Sequence, residues 1–244
     1  MTRKLALVVL SMDVFWFAAC RAVPDTPLAA AAARGDVARI RTLVGASGMV
    51  DQPDQNGITP LIWATRQGQL AAVRALVDAG ADINGRDARP TIAWTVLMHA
   101  IHTNQPDAVH LLLESGANPN ARNRELTPLV MAAGYGYTGM VQDLLRHGAD
   151  PYARMSDGMT ALAAAVGGAP DIDRFTVASC QTSTVKALLE RAPDLTIDSG
   201  SIGGRWALRF ARFGGCEEVV SLVRGRQEAG SGPRTGPADS RERR

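Results

Sequence analysis

Thr59-Pro60-Leu61-Ile62-Trp63-Ala64-Thr65-Arg66-Gln67-Gly68, followed by Gln69-Leu70-Ala71-Ala72-Val73-Arg74-Ala75-Leu76-Val77-Asp78-Ala79-Gly80, decides how this chain folds. Thr59 offers its hydroxyl to an orphan backbone amide, and Pro60 takes the first helical position, where its missing N–H costs nothing. Leu61, Trp63 and Ala64 give this helix an apolar face, and Gly68 can adopt the left-handed conformation that ends it. Leu70, Val73, Leu76 and Val77 then recur at helical spacing, which makes a second, antiparallel helix closed by Gly80. Such a helix pair cannot bury its apolar faces alone and needs neighbours built like itself.

The neighbours are present on both sides. Thr26-Pro27-Leu28, Thr59-Pro60-Leu61, Thr95-Val96-Leu97, Thr127-Pro128-Leu129 and Thr160-Ala161-Leu162 are separated by 33, 36, 32 and 33 residues from one threonine to the next. Second-helix faces recur with them: Val37, Ile40, Leu43 and Val44; Val109, Leu112 and Leu113; Val141, Leu144 and Leu145. Gly116-Ala117-Asn118 and Gly148-Ala149-Asp150 repeat the terminator Gly80-Ala81-Asp82. Asn104 replaces the inter-helix glycine of the third unit, a tolerated exchange because asparagine enters the left-handed region, and Pro106 starts the next helix.

These units resemble ankyrin repeats, each a pair of antiparallel helices followed by a loop that projects as a β-hairpin finger, from about Thr26 to Val223. The histidine that follows Thr-Pro-Leu in that family is absent, its place taken by Ala29, Ile62, Met98, Val130 and Ala163. Stability should therefore rest more on apolar stacking. The expected fold is an all-α repeat solenoid, an ankyrin-like stack of about six helix-turn-helix units with projecting hairpin loops. It occupies residues 21–225, with units starting near 26, 59, 95, 127, 160 and 206. The step from Thr160 to Trp206 is too long for one unit, and the excess is assigned to an insertion at about 167–179, between the paired helices. Trp206-Ala207-Leu208 through Val223 reads as a capping unit. Residues 226–244, rich in Arg, Gly and Pro, read as a disordered tail.

The chain opens with a different signal. Arg3 and Lys4 precede the apolar run Leu5 to Leu10, and Val14 to Ala19 lead to Cys20, the layout of a secretory signal peptide over residues 1–20. Phe17-Ala18-Ala19-Cys20 resembles the lipobox of bacterial lipoproteins, in which the cysteine carries the lipid; Phe17 and Asp13 depart from that pattern. The resemblance implies a membrane anchor at Cys20 and a periplasmic location, with Arg21 pointing to the outer membrane over the inner. Export permits disulfides, and Cys180 and Cys216 stand at nearly equivalent positions before second helices. Stacked helices lie about 8 to 10 Å apart, farther than a disulfide spans, so either a local displacement joins the two or both remain thiols.

With 244 residues, a formal charge of +2 and 5% aromatics, the composition gives nucleic acid little to bind. Catalytic chemistry is equally thin. His99 and His102 share one helix face at a spacing that suits a metal, but no third ligand stands nearby. Gly134, Gly136 and Gly139 lack the strand before and the lysine after that a phosphate loop requires. No catalytic residues, metal, cofactor or small-molecule substrate are expected. The family resemblance instead nominates a concave surface of fingertips and inner-helix ends for a protein partner: Arg66, Gln67, Arg89, Trp94, His102, Thr103, Leu126, Tyr135, Tyr137 and Met159. The expected function is non-catalytic protein binding in the bacterial cell envelope, as an inhibitor or immunity protein or as an accessory factor of an envelope enzyme. The alternatives are a structural envelope scaffold, or a metal-dependent enzyme using His99 and His102.

Overall fold

A computed structural model describes residues 23–88, 93–123, 126–168 and 180–230, with only the backbone of 224–230. The described residues fall into two compact units, divided between Ala93 and Trp94. Both are built from paired antiparallel helices.

Unit one holds α1 (Pro27–Arg34), α2 (Val37–Ser47), α3 (Pro60–Arg66) and α4 (Leu70–Asp78). The first helix of each pair starts as its sequence dictates: the Thr26 hydroxyl accepts from the Ala29 amide and Thr59 from that of Ile62, each followed by proline. Gly35, at φ 76°, turns the chain from α1 into α2, where the Asp36 carboxylate caps by accepting from the Arg39 amide. Residues Pro60 to Thr65 of α3 are buried on every side, because α3 packs against both α1 and α4. Successive loops are tied by bonds from backbone amides to carboxylates about one repeat earlier. The Asp25 carboxylate accepts from the Gln55 amide and the Asp51 carboxylate from that of Asp82.

Asp54 fixes the loop before α3. It is buried, and its carboxylate accepts from the Asn56 and Ile58 amides at 2.9 and 3.0 Å and from the Trp63 indole N–H at 2.8 Å. These donors, with the Asn56 side-chain amide, satisfy a carboxyl group that burial would otherwise leave unpaired. Trp63 thus joins finger to helix, and Arg66 lies over its ring at 5.2 Å.

Unit two holds α5 (Val96–His102), α6 (Pro106–Glu114), α7 (Pro128–Tyr135), α8 (Thr138–Arg146), α9 (Ala161–Gly167), α10 (Thr182–Arg191), α11 (Ile202–Phe213) and α12 (Glu217–Gly230). Thr95, Thr127 and Thr160 cap α5, α7 and α9 through the Met98, Val130 and Ala163 amides, all at 3.2 Å. Inner helices α5, α7, α9 and α11 pack side by side, and the second helices α6, α8, α10 and α12 line up behind them. The five positions that lack the family histidine, Ala29, Ile62, Met98, Val130 and Ala163, are all buried. Apolar packing replaces the missing polar contact.

The fingers are hairpin loops closed by single rungs: among the described residues no strand forms, and Asn123 and Leu126 exchange two backbone bonds in an isolated antiparallel bridge while Met155 N donates to Met159 O. Three expectations need adjustment. The sixth unit starts at Ser201, not near 206. The Ser201 hydroxyl caps α11 by accepting from the Gly204 amide, so the helix begins a full turn earlier. Gly167 belongs to α9 and not to the insertion, because a Cβ there would meet the Ala207 Cα at 2.6 Å, and this close approach keeps it in the packed core. Finally α12 continues to Gly230, five residues into the expected tail, since Arg226-Gln227-Glu228-Ala229 are good helix formers. Residues 1–22, 169–179 and 231–244, and with them Cys20, the rest of the insertion and the tail, lie outside the described residues, as does Arg89.

Cys180 and Cys216 are joined by a disulfide, with Cα atoms 5.2 Å apart. Cys180 precedes α10 and Cys216 directly precedes α12, so the bond staples the turns of the last two helix pairs. Gln181 reaches the other way, donating its side-chain amide to the Gly134 carbonyl at 2.9 Å.

Candidate functional site

The inner helices and fingers of unit two enclose an apolar cleft of about 240 Å³. Its walls are Trp94, Leu126, Val130, Met131, Tyr135, Met155, Met159, Ala164 and Gly168, with Asp157 as the charged side chain.

Local structure explains each wall. Ala93 has φ 45°, in the region sparsely open to residues with a Cβ, and Trp94 follows it onto α5. The indole lies against His102, ring centroids 4.7 Å apart, and edge-on to His99 at 5.5 Å. His102 Nδ1 is 2.9 Å from the Tyr135 hydroxyl, which ends α7, and the Tyr135 ring meets Tyr137 at 5.4 Å. Trp94, His102, Tyr135 and Tyr137 thus form one continuous row across two repeats. Tyr135 is buried and the other three are half-buried, so the row presents edges to solvent while its rings are already braced. Pre-braced aromatic rings lose little conformational entropy when a partner covers them.

The opposite wall is set by the finger of residues 155–159. Gly158, at φ 83°, permits the turn, and the Asp157 carboxylate accepts from the Met159 amide at 2.8 Å. The early start of α11 then clamps this finger: Gly203 N donates to Asp157 O at 2.8 Å, and a Cβ on Gly203 would fall 2.7 Å from Met159 N. Met155 and Met159 are thereby held facing the cleft. Thioether side chains are flexible and polarisable, which suits a surface that must fit a varied partner.

Four of the residues nominated from sequence line the cleft: Trp94, Leu126, Tyr135 and Met159. His102 and Tyr137 stand beside it through their ring contacts. Thr103 does something else, closing α5 by donating its hydroxyl to the His99 carbonyl at 2.8 Å and accepting from Gln105. Arg66 and Gln67 end α3 in unit one, where Gln67 is exposed and Arg66 covers Trp63. Met131 and Met155 went unnominated. Met155 is in fact legible, two residues before Asp157 in a finger of the same length as Asp54 to Ile58.

His99 is buried behind Trp94, and its spacing partner His102 is engaged with Tyr135. Among the described residues no three His, Cys, Asp or Glu side chains come together as a metal-ligand set. The cleft offers apolar surface, aromatic edges and one carboxylate.

Such a scaffold, stacked helix pairs with a cleft built from inner helices and loop tips, defines a repeat-solenoid binding protein. The chain belongs to the ankyrin-repeat family: a family model described as ankyrin repeats (3 copies) matches residues 12–87 and 97–197. It is 34% identical to the human ankyrin repeat and SOCS box protein 6, over 48% of this chain and 27% of that one. It is 32% identical to a putative ankyrin repeat protein of Rickettsia bellii, over 42% of this chain and 49% of that protein. A third relative, the human 2-5A-dependent ribonuclease, is 42% identical across 27% of this chain but only 9% of its own length. The chain thus spans half or less of the relatives named here. Ankyrin repeats form a protein-interaction module, and that is the functional class of this chain.

Proposed function

We propose that the protein is a non-catalytic binding protein of the bacterial cell envelope, which recognises a protein partner with the cleft of unit two. The observation that carries this reading is an apolar cleft lined by Trp94 and Tyr135, which His102 and Tyr137 brace, together with Met155 and Met159 of the finger. Large aromatic residues in a water-excluding pocket are where interface energy concentrates. Export is supported by the signal-like segment 1–20 and by the Cys180–Cys216 disulfide, a bond that persists in oxidising compartments. A lipid on Cys20 would hold the module at the membrane, facing the periplasm. An inhibitor, an immunity protein or an accessory factor of an envelope enzyme would all use the cleft in this way.

The experiment is quantitative capture from envelope extract with wild type, Tyr135→Ala and Met159→Glu. A partner retained by wild type and reduced at least tenfold by both substitutions supports the reading. A scaffold held only by its anchor would instead keep its associations in both variants and lose them with Cys20→Ala.

A further inference from the structure

Helix α11 packs backwards. Its buried side is Gly203, Gly204, Ala207 and Ala211, which lets the helix sit close against α9, whose Gly167 meets Ala207. Most of its large side chains lie on the other side, with Leu208 and Phe210 half-buried. Ile202 is 56%, Trp206 51% and Phe213 88% exposed, and the Phe210 ring stacks on Trp206 at 5.0 Å. At 100° per residue Ile202, Trp206, Phe210 and Phe213 fall in one stripe, about 17 Å long. Arg205, Arg209 and Arg212, all exposed, form a parallel stripe along one flank, and the helix holds no Asp or Glu. The final inner helix of a repeat array ordinarily turns a polar face to water. This one turns an aromatic and arginine face.

We propose that the outward face of α11 binds the surface of anionic phospholipid bilayers. Aromatic and aliphatic side chains beside an arginine flank match the requirements of a helix lying in the headgroup region: the rings enter the interface while the guanidinium groups meet phosphate. Among the described residues no helix is long and apolar enough to cross a membrane; an apolar stripe flanked by arginines on one side of a helix suits a position along a surface. Two other occupants fit poorly. A second copy packed antiparallel across a twofold axis would bring three arginines against three arginines without an acid on the helix to meet them. Residues 231–244 contain no Ile, Leu, Val, Met or aromatic residue with which to cover the stripe. The cleft lies elsewhere in unit two, so the bilayer and a protein partner use separate surfaces.

The test is co-sedimentation of the full chain with vesicles of phosphatidylglycerol and phosphatidylcholine, against vesicles of phosphatidylcholine alone. Binding is expected to the anionic vesicles only and to weaken with salt. Arg209→Glu/Arg212→Glu should lower the partition coefficient by about thirtyfold or more, and Trp206→Ser/Phe213→Ser by a similar factor, each with unchanged circular dichroism. Bromine on the lipid chains should quench tryptophan emission in wild type, and Trp206→Phe, which keeps an aromatic ring, should lose that share of the quenching. The proposal is overturned if wild type ignores anionic vesicles, or if both double variants bind as wild type does, which would place the affinity elsewhere in the chain. It is equally overturned if Phe213→Ser abolishes a concentration-dependent dimer, because a second copy would then own the face. Tyr135→Ala and Met159→Glu should leave vesicle binding unchanged, which separates failure of this proposal from failure of the cleft.

Discussion

Reduction of the Cys180–Cys216 disulfide should loosen the end of unit two by an amount that the chain connectivity sets. The two cysteines are 36 residues apart. Closing a loop of that size removes about 13 cal/mol/K of denatured-state entropy, or about 4 kcal/mol at room temperature, in the chain-entropy treatment. With a urea slope of about 2 kcal/mol/M, the transition that reports α9 to α12 should move down by about 2 M. Chemical reduction is the cleaner perturbation because it leaves both sulfurs in place, whereas Cys216→Ser would put a hydroxyl where Cys216 is buried. The assay is urea unfolding followed by circular dichroism, with and without reductant, alongside peptide mapping of the unreduced protein. A linked pair of peptides and a lowered midpoint are expected. Both cysteines alkylated without reductant in protein recovered from an oxidising compartment, or a midpoint indifferent to reductant, would refute the reasoning.

Asp54→Ala should strip the Ile58 amide and the Trp63 indole of their acceptor, at a cost of about 3 kcal/mol or more in unit one, with Asp54→Asn milder; denaturant midpoints measure both. Gly203→Ala should push the 155–159 finger off α11, costing about 1 to 3 kcal/mol and weakening partner capture as Met159 shifts. Burial, opposed by the hydrogen bond from the Asp82 amide, holds the Asp51 carboxyl above its usual range. A raised folded-state pKa favours the protonated native protein, so Asp51 stabilises at low pH and loses that contribution as pH rises through its folded value. Stability against pH for Asp51→Asn should therefore be flatter than for wild type just above the usual carboxylate range, and a superimposable pair of curves would contradict this.

The threonine phrases were sufficient to place five of the first helices because each cap is a local event: a hydroxyl, its amide three residues on, and often a proline between. Ser201 escaped the same reading for a physical reason. Ile202-Gly203-Gly204 looks like a loop, since glycine pairs weaken helices, yet here the glycines are required by the Met159 backbone on one side and Asp198 on the other. The packing partner that reverses their meaning is more than forty residues away for Met159. Gly167 is the same case, its place in the core set by Ala207. The cleft was half legible. Trp94, Leu126, Tyr135 and Met159 stand at fixed offsets from the repeat threonines, so position alone nominated them. That Trp94 would brace on His102, and His102 on Tyr135, depends on side chains from successive repeats meeting, which spacing does not encode. The orientation of α11 was hidden too, because an amphipathic stripe is the same whether it faces the core or the solvent.

The claim at the centre of this account is that the cleft of unit two touches a protein. A photo-crosslinking residue placed at Met159 and, separately, at Glu190, exposed on α10, tests it in living cells without any assumption about the partner. Illumination should give a discrete heavier product from position 159, competed away by Tyr135→Ala in the same chain, and none from position 190. A product from position 190 with none from position 159 would contradict the account.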